Sequence, residues 1–231
     1  MASVVRTLSA GAGAHGVALT PDCSRLYVTN AYADTLSVFD LTDFRLLKEI
    51  PVEDFPEYIA VGPEGQWVLT TNLGGPGSVT LIDWATLAPI RTFRLGTDPH
   101  GWALSPDGSR LAIAQLGSSQ VYLLDTQTLE AVATYETGTI SEWAAFRSPQ
   151  ELWVTNIGAD YVSIIDLEAG EVVARVTTGL SPHGIAFTRD GRWAFVSNMK
   201  EGTVVKIDTL ARRVVGRFSV GGELHNLVVL D

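Results

Sequence analysis

One sixteen-residue pattern occurs three times in this chain of 231 residues, and its spacing constrains the fold more than any other feature. His15-Gly-Val-Ala-Leu-Thr-Pro-Asp-Cys-Ser-Arg-Leu-Tyr-Val-Thr-Asn30 returns as His100-Gly-Trp-Ala-Leu-Ser-Pro-Asp-Gly-Ser-Arg-Leu-Ala-Ile-Ala-Gln115. It returns again as His183-Gly-Ile-Ala-Phe-Thr-Arg-Asp-Gly-Arg-Trp-Ala-Phe-Val-Ser-Asn198. Degenerate copies start at Glu57 and Glu142, and a further start falls at His225, so successive starts lie 41 to 43 residues apart. A fixed period in this range marks a repeat architecture in which each unit is one supersecondary element.

Each unit holds four short runs of β-branched or alternating residues bounded by turn chemistry, which is the strand signature. In the first unit the runs are Gly16–Thr20, Arg25–Thr29, Thr35–Asp40 and Arg45–Val52. Pro21-Asp22, Pro63-Glu64-Gly65 and Pro106-Asp107-Gly108 predict tight hairpins after the first run, because Pro presets φ and Gly tolerates positive φ. The second run ends on Asn30, Asn72, Asn156 or Asn198 and the third on an Asp, short side chains able to bond a turn's own backbone. Four strands repeated about every 42 residues predict an all-β chain, a β-propeller of four-stranded antiparallel blades spanning 1–231 as one domain.

The runs Leu26-Tyr-Val-Thr-Asn30, Leu152-Trp-Val-Thr-Asn156 and Ala194-Phe-Val-Ser-Asn198, with the Pro-His-Gly starts at Pro99 and Pro182, resemble the YVTN family of β-propeller repeats. The resemblance covers nearly the whole chain. It implies the propeller fold and an exported or cell-envelope setting, since that family includes surface-layer and exported proteins, and related propellers carry haem d1 or act as lactonases. The N-terminus shows no signal-peptide pattern, so such a segment is expected to be absent or already removed. Val4–Leu8 reads as a fourth strand without the rest of its blade, and Leu224–Leu230 as a first strand without the rest of its own. Five complete blades and a partial sixth are therefore expected, with unpaired edges open to self-association.

Strand direction alternates, so the connection into each first strand and the hairpin between second and third strands share one end of the ring. There every first strand opens with His15, Glu57, His100, Glu142, His183 or His225, and these six are expected to form a ring. Imidazoles and carboxylates together suit a divalent metal such as zinc or manganese. The competing role is structural, each His bonding the backbone of the neighbouring blade. The loops at the same end hold Asp34, Glu53, Asp54, Glu57, Asp98, Glu136, Glu142, Asp160, Glu201 and Glu223 against one base, Lys200, an excess of nine negative charges within the chain's total of −10. A surface of one sign concentrates the opposite sign, which predicts a cationic ligand or a basic protein segment as partner. Tyr32, Asp34, Asp54, Phe55, Asp98 and Asp160 are the candidate contacts.

The same charge argues against nucleic acid, whose binding needs Lys and Arg on phosphates, and no apolar run approaches the roughly 20 residues of a membrane-spanning helix. Tyr27, Trp67, Trp153 and Trp193 fall in second strands and are expected to pack between blades. Trp102 and Trp143 follow their ring residues and either wall the mouth or pack likewise. The nucleophile elbow, the phosphate loop and the His-Glu-x-x-His helix are all missing from the sequence. Cys23, the sole cysteine, stands in a hairpin at the opposite end, where other copies carry Gly. The sequence thus points to a non-catalytic binding or scaffold propeller; the alternative is a metal-dependent, lactonase-like hydrolase whose metal-bound water would be activated at the ring.

Overall fold

The computed structural model describes residues 4–230. Twenty strands form five sheets, each made of four consecutive strands in antiparallel order. Sheet one holds β1 (Ala14–Leu19), β2 (Arg25–Asn30), β3 (Thr35–Asp40) and β4 (Arg45–Pro51). Sheet two holds β5 (Pro56–Val61), β6 (Trp67–Asn72), β7 (Ser78–Asp83) and β8 (Ala88–Phe93). Sheet three runs through β9 (Pro99–Leu104), β10 (Arg110–Gln115), β11 (Gln120–Asp125) and β12 (Ala131–Glu136). Sheet four comprises β13 (Ser141–Ser148), β14 (Glu151–Asn156), β15 (Tyr161–Asp166) and β16 (Glu171–Thr177), and sheet five β17 (Pro182–Phe187), β18 (Trp193–Asn198), β19 (Thr203–Asp208) and β20 (Arg213–Ser219). Among the described residues there is no helix, hence none long and apolar enough to cross a membrane.

Turn chemistry explains the punctuation. In the first hairpin Asp22 accepts the Ser24 N–H and the Thr20 hydroxyl, and Cys23 adopts φ 56° where Gly65, Gly108 and Gly191 take 73°, 71° and 65°. The Asp closing each third strand caps the next turn, as Asp83 does for the N–H groups of Ala85 and Thr86. The Asn residues behave differently from expectation. Asn30, Asn72 and Asn156 are fully buried and bond third-strand groups instead of a local turn, Asn72 reaching the hydroxyls of Ser78 and Thr80. A buried amide needs partners, and the facing strand supplies hydroxyls at the right register.

The chain divides into two units, Met1–Leu95 and Gly96–Asp231, which hold sheets one and two and sheets three to five respectively. In the first unit Tyr27, Leu36, Val38 and Ile50 of sheet one pack on Ile59, Val68 and Ile82 of sheet two. In the second, Trp153, Val162, Ile164 and Val176 of sheet four pack on Ile185, Ala194, Val196, Val205 and Ile207 of sheet five, and a like cluster joins sheets three and four. Each buried Val, Leu or Ile among them contributes roughly 1.5–3 kcal/mol. In sheet four alternation puts Leu152, Val154 and Ile165 into one layer and Trp153, Val162 and Ile164 into the other, which is why its central strands read as nearly continuous apolar runs.

Two expected strands need correction. Val4–Leu8 and Leu224–Leu230 are not strands, since neither finds a ladder partner among the described residues. Asp231, the last residue of the sixth repeat start, lies outside the described residues, as do residues 1–3. The sixth start is nonetheless seated on sheet five: the Ser197 hydroxyl donates to the His225 carbonyl at 2.5 Å.

Candidate functional site

Every first strand carries a bulge at its ring residue, where β1, β5, β9, β13 and β17 each slip register against the second strand. In four of the five, a hydroxyl from the second strand fills the gap. Thr29 accepts the Gly16 N–H at 2.8 Å, Thr155 that of Trp143 at 3.0 Å and Ser197 that of Gly184 at 2.9 Å. The same hydroxyls donate onward to the ring residue of the following repeat, Thr29 to the Glu57 carbonyl at 2.6 Å and Thr155 to that of His183 at 2.7 Å. The Gly after the His is required here, because a Cβ on Gly16 would stand 2.2 Å from the Glu57 oxygen and one on Gly101 2.5 Å from that of Glu142. Sequence reading missed these hydroxyls, although they occupy one fixed place in four of the five repeats, just before the Asn; the third repeat has Ala114 and Gln115 there.

In the second unit four ring residues come together. Glu142 is 2% exposed, and its Oε1 lies 3.3 Å from His100 Nδ1 and 3.0 Å from His183 Nε2. His100 Nδ1 is also 3.4 Å from the Glu142 main-chain oxygen. His183 is buried, while His225 is exposed and stands edge-on to it with ring centroids 4.8 Å apart. In the first unit His15 is exposed, its Nδ1 3.4 Å from the Glu57 carbonyl and its ring edge-on to Tyr58. His15 and His100 thus each place Nδ1 beside the main-chain oxygen of the next ring residue, and His100 also meets the Glu142 carboxylate. No three His, Cys, Asp or Glu side chains among the described residues are placed to hold one metal ion.

The candidate loop contacts fall into separate groups. In the first unit Tyr32 is exposed and its ring lies 5.8 Å from that of Phe55, whose N–H donates to Asp34 Oδ1 at 2.9 Å. Asp54 is exposed beside them, its carbonyl accepting the Gly74 N–H. In the second unit Asp98 is half-buried and Asp160 exposed, and their carbonyls accept the N–H groups of Leu116 and Thr178. The residue two places before each of the first five ring positions is left-handed: Gly13, Phe55, Asp98, Ile140 and Ser181. For Ile140, which is β-branched, φ 59° is a strained conformation that the fold imposes on this loop.

Three arginines correct the expected charge count. Arg217 of β20 pairs with Glu201 at 2.6 Å and donates to the Thr178 carbonyl, Arg175 of β16 reaches the Thr137 carbonyl, and Arg94 reaches that of Gly77. Their long stems carry guanidinium groups to the loop end from the fourth strands β16 and β20 and, for Arg94, from the residue just after β8. Hydrogen bonding from the Leu180 N–H, helped by Thr203 and Arg217, holds the Glu201 carboxyl below the ordinary glutamate range. Glu53, Asp54, Asp160 and Glu223 are exposed and form no ion pair among the described residues. Among the aromatics, Tyr27, Trp67 and Trp153 are buried as expected, but Trp193 is half-buried with Arg192 and Lys206 over its ring at 4.2 and 3.8 Å. Lys206 stands where β15 has Ile164, so a cation replaces the apolar neighbour. Trp143 lies against Gly101.

Sheets of four antiparallel strands on a 42-residue repeat, with no helix among the described residues, define the class: this is a β-propeller fold. A seven-bladed β-propeller protein of Mycobacterium tuberculosis is 29% identical over 130 residues, covering 54% of this chain and 33% of that protein. Antigen Lp49 of Leptospira interrogans is 29% identical over 112 residues, 42% of this chain and 24% of the antigen. The matches thus span a third or less of these relatives. Among solved structures, a Kuenenia stuttgartiensis hydrazine synthase superposes with a TM-score of 0.80 at 21% identity, over 96% of this chain and 71% of that one. A functionally unknown protein from Desulfotomaculum acetoxidans gives 0.79 at 19% identity, over 92% and 72%. No protein-family model matches the chain.

Proposed function

We propose that this chain is a non-catalytic binding or scaffold propeller of the YVTN type whose loop ends take a cationic partner, a basic protein segment in particular. The observation that carries this is the set of exposed acids without ion pairs among the described residues, Asp160 and Glu223 on the second unit and Glu53 and Asp54 on the first, on the same loop ends as the ring residues. Unpaired surface carboxylates raise the local concentration of cations and steer them. The Tyr32–Phe55 pair beside Asp34 adds an aromatic surface for the stems of Lys or Arg. Fold alone leaves the chemistry open, because propellers host many functions. Five complete blades and a seated sixth start remain our reading of the repeat count.

Calorimetric titration with a pentalysine peptide tests the proposal. Binding is expected at about 20 mM salt and should weaken severalfold at about 200 mM, where the Debye length falls to a few residues' width. A pentaglutamate peptide should give no heat. Equal pentalysine affinity at both salt levels, or none at either, overturns the proposal. Zinc and manganese titrated into metal-free protein serve the competing divalent-metal and hydrolase reading: stoichiometric metal binding without peptide binding would replace the proposal.

A further inference from the structure

The fourth strand lies at one edge of every sheet, and an edge strand presents a row of backbone N–H and C=O groups without a ladder partner. Proteins commonly guard such an edge with a charged residue or a proline inside the strand. Four of the five fourth strands do so: β4 carries Lys48 and Glu49, β8 Pro89 and Arg91, β16 Arg175 and β20 Arg217. β12 does not. It runs Ala131-Val-Ala-Thr-Tyr before closing on Glu136, and its Val132 is 52% exposed. A bulge against the third strand is common to all five fourth strands, so it does not set β12 apart.

The ladder fixes where the main-chain groups of β12 point. The Thr137 N–H donates to the Ser119 carbonyl on the β11 side, and Tyr135 and Ala133 oppose Val121 and Leu123. Alternation then turns the N–H and C=O of Thr134 and Glu136 away from β11, and both residues are exposed. Carboxylates bracket this stretch. Glu130 and Glu136 are exposed and form no ion pair among the described residues, Glu136 accepting instead the neutral Gln120 amide at 2.6 Å. Because of the bulge, the seven residues from Glu130 to Glu136 oppose the six from Gln120 to Asp125. A strand added outside β12 in the same register is likewise six residues long, with its two end residues beside the two carboxylates.

We infer that β12 is a docking edge for an extended protein segment that adds a fifth strand to sheet three, with β-branched residues in its middle and a Lys or Arg at each end to meet Glu130 and Glu136. Main-chain hydrogen bonds to Thr134 and Glu136 supply the affinity, as in other cases of strand addition, and the two charges set the register. A second copy of β12 is the poorer occupant. Two such strands run antiparallel would set Glu130 of one against Glu136 of the other, and like charges directly opposite destabilise a strand pair. This edge is a site of its own and does not depend on recognition of cations at the loop ends.

The blocked peptide Lys-Thr-Val-Thr-Val-Lys, titrated into the full chain and followed by nuclear magnetic resonance, tests the inference. Saturable amide shifts are expected at Val132, Thr134 and Glu136, with slowed amide exchange at Thr134 and Glu136. Lys-Pro-Pro-Pro-Pro-Lys carries the same charge and no central N–H, so it should give no saturable shift there. Thr134→Pro removes an outward N–H and leaves the bonds to β11 in place, so it should abolish peptide binding, while Thr134→Ala should keep it. Glu130→Gln and Glu136→Gln should each weaken the peptide severalfold and flatten its salt dependence. Each variant is checked for folding by the amide spectrum of β9 to β11. No saturable shift on β12, equal binding of the prolyl peptide, or unchanged affinity in folded Thr134→Pro protein overturns the inference. Dimerisation that Thr134→Pro abolishes, with no peptide bound, assigns the edge to a second copy and overturns it too. Peptide binding at β12 without pentalysine shifts at the loop ends would leave this site standing and refute the proposed function. Pentalysine shifts at the loop ends with no peptide response on β12 would do the reverse.

Discussion

Replacing Thr155 by Val tests the hydroxyl that ties one repeat to the next. Thr155 is fully buried, accepts the Trp143 N–H at 3.0 Å and donates to the His183 carbonyl at 2.7 Å, so one oxygen positions two ring neighbours. Valine keeps the shape and removes both bonds. Withdrawing a partner from a buried polar group costs about 1–3 kcal/mol, so the loss should total about 2–4 kcal/mol. Thr155→Ser keeps the hydroxyl and loses a buried methyl, a change worth roughly 1 kcal/mol. Urea unfolding followed by Trp fluorescence should place the Val variant well below the Ser variant in midpoint with similar slopes. Thermal unfolding should follow, at roughly 2–4 °C per kcal/mol for a chain this long. A Val variant as stable as wild type, or more stable than Ser, would refute the coupling of the repeats through this hydroxyl.

Other perturbations have calculable outcomes. Gly101→Ala would put a Cβ 2.5 Å from the Glu142 oxygen and should destabilise by about 1–3 kcal/mol, whereas Gly216→Ala, with nothing nearer than 3.5 Å, should be neutral or stabilising by about 0.5–1 kcal/mol. Both are read from urea midpoints. Cys23→Gly relieves a left-handed non-Gly residue and should raise the midpoint by roughly 1 kcal/mol equivalent. The turn carboxyls of Asp22, Asp107 and Asp190 are held low by hydroxyl and N–H donors, chiefly Thr20, Ser105 and Thr188, and Asp22 falls to about 2. A depressed folded value means that their contribution is complete above the unfolded value of 3.8 and is lost as pH falls towards the folded ones. Urea midpoints measured from pH 6 down to 2 should be flat above about 4 and fall below it, and Asp22→Asn should shallow that fall.

The fold was legible because the repeat writes each strand and turn several times. Asp22, Asp107 and Asp190 stand at equivalent hairpins, and the left-handed position of Cys23 follows from the Gly in its sister copies. The terminal segments misled, because a strand pattern in Val4–Leu8 and Leu224–Leu230 specifies alternation but not a partner to pair with. At the site, the period aligned His100, Glu142 and His183 before any geometry was in hand. It did not reveal which histidines face backbone and which face the carboxylate, since that depends on side-chain orientation across two sheets. The arginines escaped for a related reason: Arg217 belongs to a fourth strand by sequence, yet its guanidinium ends beside Glu201 in a loop.

Recognition of cations by the loop ends is tested most directly by mapping pentalysine onto backbone amide resonances at low salt. Shifts should gather at Tyr32, Asp34, Asp54 and Phe55 in the first unit and at Asp98, Glu142 and Asp160 in the second, and should fade as salt is added. Shifts centred instead on the opposite hairpins around Cys23, Asp107 and Asp190, or no shifts at all, would contradict the account.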